Sequence, residues 1–178
     1  MQHSEALLIG GRAGVGKTTV GWEVSARLRA VGVPHAVIDG DYMGQVHPAP
    51  EGDPTRTAIA ERNLTAVWGN YAELGYRRLV YTNTVCVLDD LTGCFRRALG
   101  DGVRLVRVLL TATDETTERR LAGRELGSEF DSELAGSLRK ARMLDARAPA
   151  DTVRVATDGR SVPDIAEEVL AATGWGTA

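Results

Sequence analysis

Gly10-Gly11-Arg12-Ala13-Gly14-Val15-Gly16-Lys17-Thr18-Thr19 follows the apolar run Ala6-Leu7-Leu8-Ile9 and precedes a segment, Thr18 to Val31, in which Val20, Val24 and Leu28 recur at helical spacing. An apolar run, a glycine-rich loop and an amphipathic segment in that order predict a strand, a tight loop and a helix. Within the loop, Gly11-x-x-x-x-Gly16-Lys17-Thr18 has the spacing of a phosphate-binding loop. The glycines are needed there because backbone N–H groups must converge on phosphate oxygens without side chains in the way, and a helix N-terminus adds favourable partial charge. Amides across Gly11, Ala13, Gly14, Val15, Gly16, Lys17, Thr18 and Thr19 are thus candidates to cradle the phosphates of a nucleotide. Lys17 would reach the β- and γ-phosphates, and the Thr18 hydroxyl would hold a bridging Mg²⁺.

Outward from this loop, short apolar or β-branched runs alternate with longer segments of helical periodicity, the pattern of βαβ units feeding a parallel sheet. Further strands are expected at His35–Ile38, Leu79–Tyr81, Val103–Leu110 and Val153–Val155. Between them, a helix capped by Thr55 carries Ala60, Leu64, Val67, Trp68 and Tyr71 on one face before Gly75. Others are expected from Asp114 toward Gly127, from Ser132 to Ala146 and from Pro163 to Ala172. Val85-Cys86-Val87-Leu88-Asp89-Asp90 looks like a metal-binding strand end, but only three residues separate it from the third strand, whereas a parallel crossover needs about a dozen or more. Leu88, Leu91, Phe95, Ala98 and Leu99 instead recur at helical spacing, so a helix is expected over 85–99, with Asp89 and Asp90 solvated. The whole predicts one domain over residues 1–178: a three-layer α/β/α fold with a five-stranded parallel sheet.

The 178 residues, 43% hydrophobic and 25% charged, suffice to bury the core of one globular domain. A formal net charge of -3 disfavours a nucleic-acid backbone or an anionic membrane as partner. No leader-like segment and no long apolar run stands out, which predicts a cytoplasmic protein. Cys86 and Cys94 are too few for a disulfide framework or zinc site and are expected as free thiols. Of the 21 Lys and Arg residues only Lys17 and Lys140 are lysine, so a lysine kept inside the glycine loop stands out as a point charge for phosphate.

Three further features bear on what happens to the phosphate. No Asn-Lys-x-Asp tetrapeptide occurs, which argues against a guanine-reading switch. Asp39-Gly40-Asp41 ends the second strand, at the sheet edge where ligands bind in open α/β folds. A carboxylate there could accept the proton of an acceptor hydroxyl, or hold Mg²⁺ directly or through water; otherwise it is a polar turn. The long Gly/Pro-rich loop over 44–54 that follows favours a functional role. Finally, Arg120 and Arg124 lie four apart on one helical face, where like charges cost stability unless an anion such as a transferring phosphoryl group offsets them.

Together these residues resemble the nucleoside-monophosphate-kinase-like group of P-loop small-molecule kinases. The Asp-Gly-Asp is similar to that of adenylylsulfate kinases and the chloramphenicol-phosphotransferase type, and Arg120-x-x-x-Arg124 to the lid of shikimate, gluconate and nucleotide kinases. The resemblance implies an ATP- and Mg²⁺-dependent phosphotransferase with a short lid over about 120–136. It assigns Arg119 or Arg120 to adenine and Arg124 to phosphate, and lines the adenine pocket with Thr157-Asp158-Gly159-Arg160. It puts acceptor contacts at Arg56, Arg62 and Asn63 and at Tyr81, Asn83 and Thr84, beside Asp39 and Asp41. Lys17, Asp41, Arg120 and Arg124 are the catalytic candidates, and Thr18 and Asp39 the metal candidates. His47 could serve as a base, although a lone loop histidine is more often simply solvated. No complete signature of one member is present, so the acceptor stays open, as do a nucleoside monophosphate kinase and an ATP-binding accessory protein that acts through a partner.

Overall fold

The computed structural model describes residues 3–123 and 130–176. The order of elements is β1 (Glu5–Gly10), α1 (Lys17–Ala30), β2 (Ala36–Asp39), α2 (Thr57–Glu73), β3 (Arg78–Thr82), α3 (Thr92–Leu99), β4 (Arg104–Thr111), α4 (Asp114–Ala122), α5 (Phe130–Arg147), β5 (Val153–Ala156) and α6 (Val162–Ala171). The strands form one parallel sheet in the order β2-β3-β1-β4-β5. In the register, Leu7 of β1 lies between Val80 of β3 and Val106 of β4.

Strand alternation divides the core into two layers. Ala6 and Leu8 turn to one face, with Leu64 and Trp68 of α2, Phe95 of α3 and Leu144 of α5. Leu7 and Ile9 turn to the other, with Val20, Val24 and Leu28 of α1 and Ile165 and Val169 of α6. Each such aliphatic side chain contributes roughly 1.5–3 kcal/mol relative to exposure, so β1, apolar toward both faces, belongs at the centre of the sheet. The fold is the α/β sandwich expected, and β1, α1 and the phosphate loop between them lie where the pattern puts them. Among the described residues no helix is long and apolar enough to cross a membrane.

Three local expectations are corrected. Residues 85–88 are turns, and α3 begins only at Thr92. Asn83 holds these turns, its side-chain oxygen accepting from Val85 N at 3.0 Å, while Leu88 is extended at φ -76, ψ 145. Cys86, Val87 and Leu88 are buried all the same, with Val87 packed so closely on Gly10 that a Cβ there would lie 2.8 Å from it. Apolar residues plugging a core beside a loop mimic helical spacing. Asp89 and Asp90 are exposed surface acids paired with Arg107 and Arg147.

Thr55 does not cap α2. Asp53 does that work from further back, its carboxylate accepting from Ile59 N at 3.0 Å, and this backbone hydrogen bond, with those from Ala58 and Thr57, holds the carboxyl below its ordinary range. The cap of α4 is Thr113, which accepts from Thr116 N at 3.2 Å, rather than Asp114. That helix stops at Ala122, short of the expected run toward Gly127.

Candidate active site

The carboxyl ends of β1, β2 and β3 open into a cleft of about 520 Å³. This is the size of a small-molecule site. Its floor at one end is the phosphate loop. Gly16, the residue before α1, sits at φ 101, a left-handed conformation that a side chain would strain. No side chain caps the first-turn amides of α1, and no acidic residue stands in that turn, so the helix end is left open to an external anion. Gly11 is fixed by contact as well as by its φ of 143, since a Cβ would come within 2.8 Å of Leu110 O and of Val15. Ala13, Gly14, Gly16, Lys17, Thr18 and Thr19 all line the cleft. The Lys17 ammonium donates to Arg12 O at 3.3 Å, folding the buried side chain back over the loop.

The loop is tied down from both sides. Arg12, a buried guanidinium that composition and motif gave no reason to single out, donates to Asp114 at 2.5 Å, to the carbonyls of Ala112 and Thr113 at 3.1 and 2.7 Å, and to the Thr117 hydroxyl at 2.6 Å. Ser137 of α5 donates to Ala13 O at 3.0 Å. Arg12 was visible in the sequence only as a charge within a glycine loop; what it pairs with lies about a hundred residues away.

Next to the loop, the end of β2 brings in the two carboxylates. Asp39 accepts from the Thr18 hydroxyl at 3.0 Å with one oxygen and from Asp41 N at 3.1 Å with the other. Asp41 accepts from the Asn83 amide at 2.8 Å and lines the cleft. Gly40, between them, is compelled by packing: a Cβ would lie 2.2 Å from the Tyr81 hydroxyl. Burial, foremost, and the neighbouring Cys86, Cys94, Asp41 and Asp39 push the Tyr81 phenol well above its ordinary range, so Tyr81 stays a neutral hydroxyl at physiological pH. Thr18 and Asp39 suit Mg²⁺, a hard cation that takes one or two carboxylates and completes its shell with phosphate oxygens and water. Among the described residues no group of three or more His, Cys, Asp or Glu forms a separate metal cage.

The other end of the cleft is made by side chains that sequence patterns mark only as helix faces: Ala60, Glu61 and Leu64 of α2, and Cys94 and Phe95 of α3. Arg56 lines it from the start of α2, in a left-handed backbone conformation at φ 58, with its Nε donating to Val46 O at 2.9 Å. Burial lifts the Cys94 thiol to about 11, and that of Cys86 to about 12, so both are protonated.

The remaining candidates lie apart from this cleft. Arg62 is exposed outside it, and Asn63 donates to Met43 O at 2.8 Å, bracing the loop after β2. His47 is exposed and does not line the cleft. Arg120 does not line the cleft: it donates to Val15 O at 3.3 Å and to the hydroxyl and carbonyl of Thr157 at 2.9 and 3.0 Å, joining the glycine-rich loop to the corner after β5. Arg119 is exposed, and Arg160 pairs with Glu168 of α6 at 2.6 Å. Asp158 accepts from Thr113 N and its hydroxyl at 3.0 and 2.8 Å. Hydrogen bonds from Thr116 and Thr113 bring its carboxyl down to about 2. Arg124 and the middle of the expected lid, residues 124–129, lie outside the described residues.

No protein-family model matches this chain, and neither does any curated protein. Its fold is nonetheless shared with solved structures. A gluconokinase from Sinorhizobium meliloti 1021 superposes with a TM-score of 0.58 at 21% identity over 96% of this chain and 90% of its own. The APS kinase of Mycobacterium tuberculosis, solved with AMPPNP and APS, gives 0.60 at 20% identity over 97% and 99%. A tunicamycin resistance protein from Deinococcus radiodurans gives 0.60 at 20% identity over 97% and 96%.

Proposed function

We propose that the chain is an ATP- and Mg²⁺-dependent kinase that moves the γ-phosphoryl group of ATP to a hydroxyl or phosphate of a small molecule. One observation carries this: the phosphate loop and Asp41, oriented by Asn83, line the same cleft, with Asp39 bonded to Thr18 between them. A nucleotide-binding loop alone needs no second carboxylate facing an additional, partly apolar volume. The shared fold with a gluconokinase and with an APS kinase bound to AMPPNP supports the same assignment.

On this reading the amides of Ala13, Gly14 and Gly16 to Thr19 hold the phosphates, while Gly11 N donates to Thr84 O and Val15 N to Arg12 O within the loop's own frame. Lys17 neutralises charge that shifts toward the β–γ bridging oxygen as its bond to phosphorus breaks. Thr18 and Asp39 would hold Mg²⁺, which supplies further neutralisation of the phosphate oxygens when bound. For a hydroxyl acceptor, Asp41 takes the proton as the new oxygen–phosphorus bond forms, and Asn83 fixes the carboxylate for that step. Arg12 and Arg120 act through the loop by keeping it in place.

The test is ADP release from ATP and Mg²⁺ across nucleosides, sugars, sugar acids, nucleoside monophosphates, adenylylsulfate and hydroxylated antibiotics. Release that depends on an acceptor, with phosphate recovered on that acceptor, is expected. ATP binding with no acceptor-dependent release would instead describe an accessory protein.

A further inference from the structure

The acceptor end of the cleft has a distinct charge balance. Its wall is apolar, formed by Ala60, Leu64, Leu91 and Phe95, with the Tyr81 ring set edge-on to Phe95 at 5.1 Å between centroids. Among the described residues the cleft is lined by three carboxylates, Asp41, Glu61 and Glu133, and by two cations, Lys17 of the glycine-rich loop and Arg56. Glu61 takes both Nε and Nη2 of Arg97, at 2.5 and 2.7 Å, in a two-pronged pair, with Arg97 reaching in from outside the cleft. That pair cancels its own charge, and with Lys17 serving the phosphates on the kinase reading, Arg56 stands against Asp41 and Glu133 among the described lining residues.

Sites that select a carboxylate, sulfate or phosphate place two-pronged guanidinium groups on it in a desolvated setting. Here the two-pronged guanidinium is already spent on Glu61, and an anionic group entering beside Phe95 would meet a lining in which Asp41 and Glu133 outnumber Arg56. An uncharged molecule meets neither obstacle. Its apolar part gains the wall, and its polar groups meet the Thr55, Thr57, Gln45 and Asn83 side chains.

Building on the kinase assignment above, we propose that the acceptor is an uncharged, hydroxyl-bearing amphipathic molecule, its reacting hydroxyl at Asp41 and its apolar portion against Leu64, Leu91 and Phe95. Selection against anionic acceptors comes from Glu61, which occupies the Arg97 guanidinium, and from the lack of a second cation on that wall among the described residues.

Two matched pairs test this with the full chain: 4-nitrophenyl β-glucoside against 4-nitrophenyl β-glucuronide, and uridine against uridine 5′-monophosphate. ADP release is measured for each with ATP and Mg²⁺. The uncharged member of at least one pair is expected to exceed its anionic counterpart at least about tenfold in kcat/KM. Glu61→Gln, which leaves Arg97 uncompensated, and Leu91→Lys, which adds a cation to a half-buried wall position, should each narrow that ratio about tenfold. If Glu61→Gln fails to fold, Leu91→Lys carries the test alone. Preference for the anionic members overturns the neutral-acceptor proposal and leaves the kinase assignment standing. An unchanged ratio in the folded variants overturns the charge-based selection. ADP release indifferent to all four compounds, with ATP still bound, overturns the neutral-acceptor proposal, and only indifference to the wider panel above overturns the kinase assignment as well.

Discussion

At one end of the cleft the lining comes from a single run of chain, Ala13 to Thr19, whose amides hold the phosphates on the proposed reading, whereas at the other, the acceptor end on that reading, it comes from residues of α2, α3 and the ends of β2 and β3. The first end is held by its own backbone geometry and by ties from Arg12, Lys17 and Ser137. The second is held by helix packing and by single pairs such as Glu61 with Arg97 and Asn83 with Asp41. Backbone ligands are indifferent to most side-chain changes, and side-chain ligands are not. Substitutions at the phosphate end should therefore act on every substrate alike, and those at the acceptor end should discriminate among them.

The largest effect expected is at Lys17. Lys17→Ala should lower kcat by about three orders of magnitude for any acceptor, the scale of removing a preorganised charge from a transition state, while circular dichroism shows the fold retained. Undiminished turnover in that variant would break the phosphate-end assignment. Asp41→Asn should lower kcat about a hundredfold with ATP affinity unchanged, whereas Asp39→Asn should instead raise the Mg²⁺ concentration needed for half-maximal rate about tenfold. Exchange of those two outcomes in a magnesium titration would swap the roles of the two carboxylates.

A smaller effect tests how firmly the phosphate loop is tied. Arg12→Met removes donors from Asp114, two carbonyls and Thr117 in a buried setting, and should cost about 2–3 kcal/mol, seen as a lower urea midpoint with an unchanged slope. The smallest concerns Asp158. Its carboxyl, held at about 2 by Thr116 and Thr113, stabilises the fold above the ordinary unfolded aspartate value of about 4, and that contribution fades as pH falls toward 2. Asp158→Asn should lower stability by about 1 kcal/mol near neutral pH, and the two proteins should converge in acid. A gap that persisted below pH about 2 would mean that Asp158 acts by shape rather than by charge.

What could be read before the structure divides along the same line. The strand, loop and helix around Gly11 to Thr18 were legible because spacing alone specifies them, and the presence of five strands along the chain followed from alternation, whereas their order across the sheet did not. The turns at 85–88 were not, because Cys86, Val87 and Leu88 are buried against Gly10 and β-sheet neighbours at intervals that copy a helix. The start of α2 was misplaced because its stabilising carboxylate, Asp53, lies six residues before the amide it accepts from. Arg120 carries a charge pattern that suits a lid, yet its partners Val15 and Thr157 are 105 and 37 residues away. Contacts across such separations leave no local trace.

Tyr81 links the two ends in a way that limits how the molecule can change. Its hydroxyl fills the space where residue 40 would otherwise carry a Cβ, while its ring forms part of the acceptor wall. Redesign of α2 and α3 could reshape the wall without disturbing the carboxylates. Redesign at position 81 could not, since shortening that side chain opens room beside Gly40 and enlarging it presses on the link between Asp39 and Asp41. Positions 40 and 81 are therefore a coupled pair, and variation in acceptor choice should enter through the helices first.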